Sequence, residues 1–213
     1  MYAVKEIFCS LNGEGARSGR PAVFCRFSGC NLWSGLEADR GSALCRFCDT
    51  DFAGTDGRRG GRYGAADLAA ALATAWKQGV GGGAGKAYAI FTGGEPALQL
   101  DAELLRLVKS EGFETAVETN GTRPLPAGID WICVSPKAGT EIVIRGGDEL
   151  KLVYPQVGSD PETYTGLEFR HFFLQPMDIP GSDRRHWRAA ADYCRQHPRW
   201  KLSLQVHKLL GLP

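Results

Sequence analysis

The chain has almost no net charge: 25 Lys and Arg stand against 24 Asp and Glu, for a formal charge of +1. That balance leaves no electrostatic footprint for nucleic acid or an anionic membrane. No apolar run comes near the roughly 20 residues needed to span a bilayer. The first residues, Met1-Tyr2-Ala3-Val4-Lys5-Glu6, lack the basic start and long apolar stretch of a signal peptide. Repeats, linkers and low-complexity tracts are absent. There is no second cysteine cluster, and seven cysteines, an odd number in a chain of 213 residues, do not make a secreted disulfide framework. The expectation is a soluble globular protein of one domain, residues 1–213, working in a reducing cytoplasm.

What is present is concentrated. Cys30, Cys45 and Cys48 share one loop, spaced C-x14-C-x2-C and closing on Asp49-Thr50. Iron–sulfur clusters are usually held by four cysteine thiolates. A loop supplying three points to a four-iron cluster with one iron left open, and an open metal position is where chemistry occurs, as at a catalytic zinc. Two other readings stand beside it. A C-x2-C pair is common in structural zinc sites, although the fourth ligand would have to come from a distant Cys or His. A redox dithiol of Cys45 and Cys48 leaves Cys30 unexplained. Cys25 and Cys133 sit in apolar runs and Cys194 on a helical apolar stripe, where cysteine packs as a small hydrophobe. Cys9 reads as structural too.

Short, β-rich apolar runs recur at 22–27, 88–91, 115–117, 131–134, 150–153, 172–174 and 202–206, as in strands of a parallel sheet buried on both faces. Helical spacing puts Leu68, Leu72, Ala75 and Trp76 on one stripe and Leu98, Leu104, Leu105 and Val108 on another. A third stripe, Trp187, Ala190, Ala191 and Cys194, is expected to start at an N-cap, Ser182, and stop at His197-Pro198. The segment from Asn120 to Asp130 is too short and Pro-rich for a helix. Polar and glycine residues follow the strands one after another: the cysteine loop, Thr92-Gly93-Gly94-Glu95-Pro96, Glu118-Thr119-Asn120-Gly121, Ser135-Pro136-Lys137, Gln175-Pro176-Met177-Asp178 and His207-Lys208. Such collection at strand C-termini marks the active face of a (β/α) barrel. Helices are fewer than strands, so the expected fold is α/β, an incomplete, open barrel.

In Thr92-Gly93-Gly94-Glu95-Pro96 the glycines would let a ligand approach the backbone, and Glu95 could accept hydrogen bonds from a cationic amine. Seen alone, the motif also reads as a plain strand-to-helix turn. Gly81-Gly82-Gly83-Ala84-Gly85-Lys86 is not a phosphate loop: Val80 stands where the first glycine is needed, Ala87 replaces the Ser or Thr, and a strand follows it. Arg26 could pair bidentately with a carboxylate, and Glu14, in the turn Leu11-Asn12-Gly13-Glu14-Gly15, could read the N–H edge of a heterocycle. Taken singly, both are as well explained by structure.

Taken together, these residues resemble the radical S-adenosylmethionine (SAM) superfamily, through Gly93-Gly94-Glu95 and Cys45-x2-Cys48. More closely the chain resembles the 7-carboxy-7-deazaguanine synthase family of the queuosine pathway. The resemblance runs through Leu11 to Gly15, Arg26-Phe27-Ser28-Gly29-Cys30, Cys48-Asp49-Thr50, Thr92 to Pro96, Glu118 to Gly121, Ser135 to Lys137, Gln175 to Asp178 and the tail from Gln205 to Pro213. Two features depart from the usual pattern: the first cysteine interval is fourteen residues, not three, and Asn12 replaces the commoner Gln. Loop-closure cost grows slowly with length, so the ends of the Asn31–Leu44 stretch can still meet at a cluster.

The resemblance implies a [4Fe-4S] cluster on Cys30, Cys45 and Cys48, and SAM chelated to its open iron. The SAM-binding residues would be Phe47, Cys48, Asp49, Gly94, Glu95, Ser135, Pro136, Lys137, Gln175, Pro176, Met177 and Asp178. It also implies Mg2+ on Thr50, and a substrate, 6-carboxy-5,6,7,8-tetrahydropterin, held by Leu11, Asn12, Gly13, Glu14, Arg26, Thr92, His207 and Pro213. A 5′-deoxyadenosyl radical delivered by SAM would take hydrogen from C6 of the pterin, and the ring would contract with loss of ammonia. No protein residue is given a catalytic role. The implied partners are a flavodoxin- or ferredoxin-type reductant and a second copy in a homodimer, with no nucleic acid and no membrane. The apolar tail Val206 to Pro213 is expected to pack back into the barrel, its carboxylate on the pterin's N–H edge, the plainer reading being a cap on the core. Two other functions remain open: a glycyl-radical activating enzyme acting on a protein, and a zinc-stabilised binding module.

Overall fold

The computed structural model describes residues 1–80, 85–179 and 184–213. Ser182 and residues 81–84 of the glycine-rich connection lie outside them. The strands are β1 (Tyr2–Leu11), β2 (Pro21–Phe27), β3 (Gly61–Tyr63), β4 (Tyr88–Gly93), β5 (Glu114–Thr119), β6 (Trp131–Val134), β7 (Gly146–Tyr154), β8 (Glu168–Pro176) and β9 (Trp200–Leu202). The helices are α1 (Ala65–Val80), α2 (Ala102–Ser110), α3 (Arg185–Gln196) and α4 (Val206–Leu209).

One nine-stranded sheet runs in the order β3-β1-β2-β4-β5-β6-β7-β8-β9. Every pairing from β2 to β9 is parallel, while β1 pairs antiparallel with β2 and β3. The sheet does not close strand to strand, so the expected open (β/α) barrel is what forms. Its helices are few because several crossovers, such as the stretch from Asn120 to Asp130, contain none.

Alternation along each strand sorts side chains into two sets. Cys25, Phe91, Val117, Leu150, Leu152 and Leu174 are buried on the outer face. There Leu68 and Leu72 of α1 and Leu104, Leu105 and Val108 of α2 join Val23, Cys25, Phe91 and Val117 in one apolar cluster. Ala190 of α3 packs with Leu150, Leu152, Phe172, Leu174 and Trp200 in another. The opposite set, Phe24, Arg26, Thr92, Glu118, Lys151, Val153 and Gln175, faces a cavity. Helix α2 starts where Asp101 accepts a hydrogen bond from the Leu104 N–H at 2.9 Å, an N-cap that satisfies an otherwise orphaned donor.

The open side of the barrel is closed without a strand. The turn after β1 meets the segment after β9: Val206 N–H donates to Gly13 O at 3.0 Å, and Gly15 N–H to Ser203 Oγ at 2.9 Å. A side chain on Gly13 would collide with the His207 ring, so this approach requires glycine.

Three strand expectations needed correction. β1 was missed because Lys5 and Glu6 interrupt its apolar alternation, and β3 is only three residues long. The run at 202–206 is placed too late: β9 ends at Leu202, and Val206 opens α4. Leu98 belongs to a separate 3-10 turn, Pro96–Leu98, and not to α2. Among the described residues no helix is long and apolar enough to cross a membrane.

Leu152 is fully buried under α3 and does not line the cavity. Leu152→Ala should destabilise the fold by about 2–5 kcal/mol, read from the midpoint of urea denaturation at unchanged slope.

Candidate active site

A cavity of about 420 Å3 opens at the C-terminal ends of the strands. It is lined by Cys30, Cys45 and Cys48 together, and all seven cysteines are free thiols. The long interval folds so that its ends meet. Leu44 N–H and Cys45 N–H both donate to Leu32 O, at 3.1 and 3.4 Å, which returns the chain to within reach of Cys30. Between them a 3-10 turn, Glu37–Ser42, carries Arg40. Its guanidinium stacks over Trp33 at 4.1 Å and donates to the carbonyls of Arg46 and Cys48 at 2.9 and 3.0 Å. Trp33 in turn packs edge-on against Phe52. The fourteen residues thus brace the cysteine loop from outside.

The thiols are electrically distinct. A hydrogen bond from Cys45 draws Cys48 below the usual thiol range against the effect of burial, and the Thr50 N–H and the Lys137 charge work the same way. Cys45 is pushed up, first by donating that bond and then by burial. Among the described residues no group of three His, Cys, Asp or Glu side chains is arranged to hold a single metal ion. Cys30, Cys45 and Cys48 on one cavity wall present three sulfur donors, the donor type that iron–sulfur clusters use. Lys137 donates to Ser135 O at 2.6 Å and Ser135 Oγ at 2.7 Å, and burial lowers its own pKa.

The motif at Thr92 to Pro96 is knitted to the cysteine loop. Gly94 N–H donates to Phe27 O at 3.2 Å, and Glu95 N–H to Gly29 O at 2.9 Å. A Cβ on Gly94 would collide with the Gly29 carbonyl and lie 2.9 Å from Cys30 Cβ. The glycine is therefore needed for the approach of Cys30 itself. Glu95 does not line the cavity, against the expectation that it receives a ligand amine. It is fully buried, and its oxygens are taken by Thr119 Oγ1 at 2.6 Å, Asn120 N–H at 2.8 Å and Ala97 N–H at 2.9 Å. It fastens β4 to the end of β5. Pro136 also lies behind the wall, accepting from Gln156 through its carbonyl.

The other expected residues are brought together. Phe47, Asp49, Thr50, Gly94, Ser135, Lys137, Gln175, Pro176, Met177 and Asp178 line the cavity, as do Leu11, Asn12, Gly13, Glu14, Arg26, Thr92, His207 and Pro213. Gln175 is buried, and among the described residues its carbonyl Oε1 has no hydrogen-bond partner. Arg26 is engaged by Glu6 at 2.8 Å. The tail reaches the cavity mouth through Pro213, but Leu209, Leu210 and Leu212 stay exposed. Its backbone is satisfied within itself, Leu210 N–H to Val206 O and Leu212 N–H to His207 O, so it curls at the rim and does not enter the barrel.

Lys151, Glu118, Gln205 and Lys208 also line the cavity; in the sequence Glu118, Gln205 and Lys208 fall in the strand-end and tail segments without an individual role, and Lys151 in none of them. Lys151 donates to Glu14 at 2.5 Å and Glu118 at 2.8 Å, and Gln205 donates to Glu14 at 2.9 Å. Burial opposes ionisation of Glu14, but Lys151, Gln205 and His207 hold it well below the usual carboxyl range. Glu118 is pushed up by burial and by the Glu14 and Glu149 charges, despite Lys151. Lys208 bridges Asp49 and Asp178, 2.6 Å from each. The signal for Lys151 was a charged residue inside the apolar run Leu150-Lys151-Leu152.

An open parallel barrel carrying three thiols on a loop after its first parallel strand defines a class of enzyme. The family model for the Radical SAM superfamily matches residues 39–197, and the chain belongs to that superfamily. The match begins inside the long cysteine interval, beyond Cys30. The chain is 56% identical to the 7-carboxy-7-deazaguanine synthase of Bordetella pertussis over 213 residues, covering 100% of this chain and 99% of that protein. It is 57% identical to the synthase of Bradyrhizobium diazoefficiens over 212 residues, covering 99% of each. A crystal structure of QueE from Escherichia coli aligns with a TM-score of 0.66 at 25% identity, covering 96% of this chain and 93% of that one. Within the superfamily, then, this chain is a member of the 7-carboxy-7-deazaguanine synthase family.

Because Gly94 packs on the Gly29 carbonyl and the Cys30 Cβ, Gly94→Val should cost the protein most of its iron after anaerobic reconstitution, and not SAM affinity alone. Iron and sulfide assays per chain check this; a full brown cluster in the variant would separate Gly94 from cluster assembly.

Proposed function

We propose that the chain converts 6-carboxy-5,6,7,8-tetrahydropterin to 7-carboxy-7-deazaguanine with loss of ammonia, as a carbon–nitrogen lyase of the queuosine pathway. The observation that carries this reading is one cavity lined both by three free thiols and by the buried Lys151 with its half-buried partners Glu14 and Glu118. The alternative of a glycyl-radical activating enzyme needs room for a protein segment, and a cavity of about 420 Å3 fits a small heterocycle beside a nucleoside.

Cys30, Cys45 and Cys48 would hold a [4Fe-4S] cluster, and Phe47, Asp49, Gly94, Ser135, Lys137 and Gln175 to Asp178 would surround SAM. When bound, that pair supplies one-electron chemistry able to remove a hydrogen from unactivated carbon. The chain's own task is placement and exclusion of water. Gln175 Oε1 offers a buried acceptor for an N–H or O–H donor of the cofactor. Lys137, held by Ser135, keeps a cation near the thiols and lowers the cost of their ionisation. On the substrate side, Glu14 and Glu118 present acceptors suited to the guanidine-like edge of a pterin, and Arg26 presents a donor for its carboxylate. Thr50 would contribute one oxygen to Mg2+, which usually keeps several waters and takes few protein ligands.

The reading also carries a flavodoxin- or ferredoxin-type reductant and a homodimer, by family. Seven free cysteines suit a reducing cytoplasm.

Anaerobically reconstituted protein given SAM, Mg2+, a reductant and the tetrahydropterin should release the deazaguanine carboxylate and one ammonia per turnover, read by mass spectrometry and ammonia assay. SAM cleavage without that product would overturn the substrate. Thr50→Ala should lower turnover while leaving iron content unchanged, and excess Mg2+ should restore it only in part. Full activity of this variant at limiting Mg2+ would remove Thr50 from the metal site.

A further inference from the structure

Lys151 is the most deeply buried cation that touches the cavity through an ion pair: its side chain is 6% exposed, against 18% for Glu14 and 25% for Glu118. It comes from the middle of β7, Glu118 from the end of β5 and Glu14 from the turn after β1. Gln205, just before α4, takes the second oxygen of Glu14. Four separate parts of the chain therefore meet at one ammonium group and its two carboxylates. The charges that face the group are few. Glu149 lies on the same strand, Cys133 on β6 is pushed up as a neutral thiol by burial, His207 stands on α4 beside Glu14, and Lys137 lies after β6.

We propose that Lys151 is a positioning residue for specificity: it holds Glu14 and Glu118 side by side as a wall of acceptors, which admits a heterocycle presenting N–H donors and rejects one presenting carbonyl oxygens. The inference rests on the pterin reading above and adds the means of discrimination. Two carboxylates confined at short range cannot both stay ionised unless a cation lies between them. Without it, one takes up a proton and turns a donor toward the ligand, so that the donor edge of a 2-amino pterin meets a donor. With Lys151 in place the group has a net charge of −1, complementary to a guanidine-like edge. Lys151 directs two of its three N–H donors at the carboxylates, so its main effect on the ligand comes through them.

The preference follows from the cost of mismatch. Removing one charge-assisted hydrogen bond, or setting two like-acting groups against each other, weakens binding by about 10- to 100-fold. A 2-oxo analogue, with an acceptor where the pterin has an amine, should therefore bind the wild-type protein far more weakly than the 2-amino pterin.

The test uses the reconstituted holoprotein with SAM. Wild-type turnover of the tetrahydropterin comes first, and its failure would count against the functional reading and not against Lys151. Given turnover, Lys151→Met should raise the pterin KM about 10- to 100-fold with a smaller change in kcat. SAM affinity and iron content should stay at wild-type values. The ratio of 2-amino to 2-oxo binding should narrow. The pH at which pterin affinity falls on acidification should move upward, because the carboxylates lose the cation that keeps them ionised. A purely structural role predicts otherwise: pterin and SAM affinity lost together, with the pH profile and the 2-amino to 2-oxo ratio unmoved. Either that pattern or wild-type pterin binding would overturn the proposal. Should Lys151→Met fail to fold, Glu118→Gln serves instead, since it keeps the cation and removes a like charge. It should weaken the 2-amino pterin about tenfold, spare SAM and narrow the same ratio; undiminished discrimination there would equally refute it.

Discussion

A lysine buried between two glutamates fixes the floor of the cavity. An ammonium group out of water is tolerated only when its charge is matched and its protons are used. Lys151 meets that condition by drawing Glu14 and Glu118 to itself. The consequences spread outward along the backbone. Glu14 can reach Lys151 only if the turn after β1 bends in under the barrel, and that turn then supplies the Gly13 carbonyl and Gly15 N–H that hold the segment after β9. The same electrostatic requirement thus shapes the binding surface and shuts the side of the sheet that its strands leave open.

The upper part of the cavity depends on a different economy, that of close backbone contact. Gly94 lies against Gly29 and Cys30, while Glu95 is consumed in ties to β5. One short motif therefore sets where the first thiol stands and where the next strand ends. The long cysteine interval adds a brace of its own. Arg40 draws the Cys48 carbonyl and Trp33 into one unit, so length in this loop does not bring looseness.

Much of this was legible in the residues. The parallel core strands could be read because both faces are covered, which gives continuous apolar runs such as Tyr88-Ala89-Ile90-Phe91. β1 could not, because Lys5 turns inward to pair with Asp51 and Asp56 and so breaks the pattern expected of a strand. The cysteine loop and the polar strand ends pointed to one cavity, and the chain does gather them there. Glu95 was misjudged for a physical reason: a carboxylate beside two glycines suits a ligand amine and a set of backbone N–H groups equally well, and only the fold shows which reaches it first. Lys151 was passed over because a single charge between two leucines reads as part of a strand until its partners, 33 and 137 residues away in sequence, are seen.

The closure of the barrel also bears on how the chain comes to be folded. Glu14 and Gln205, which meet in the cavity, are 191 residues apart, and Gly15 and Ser203 are 188 apart. At ribosomal speeds of about 5–20 residues per second, the turn after β1 waits on the order of 10–40 seconds for its partner to be made. For most of that time the cysteine loop exists without a closed chamber around it. Contacts of such long range are formed late, after local pairings are in place. The three cysteines are thus synthesised well before the cavity that they line is complete.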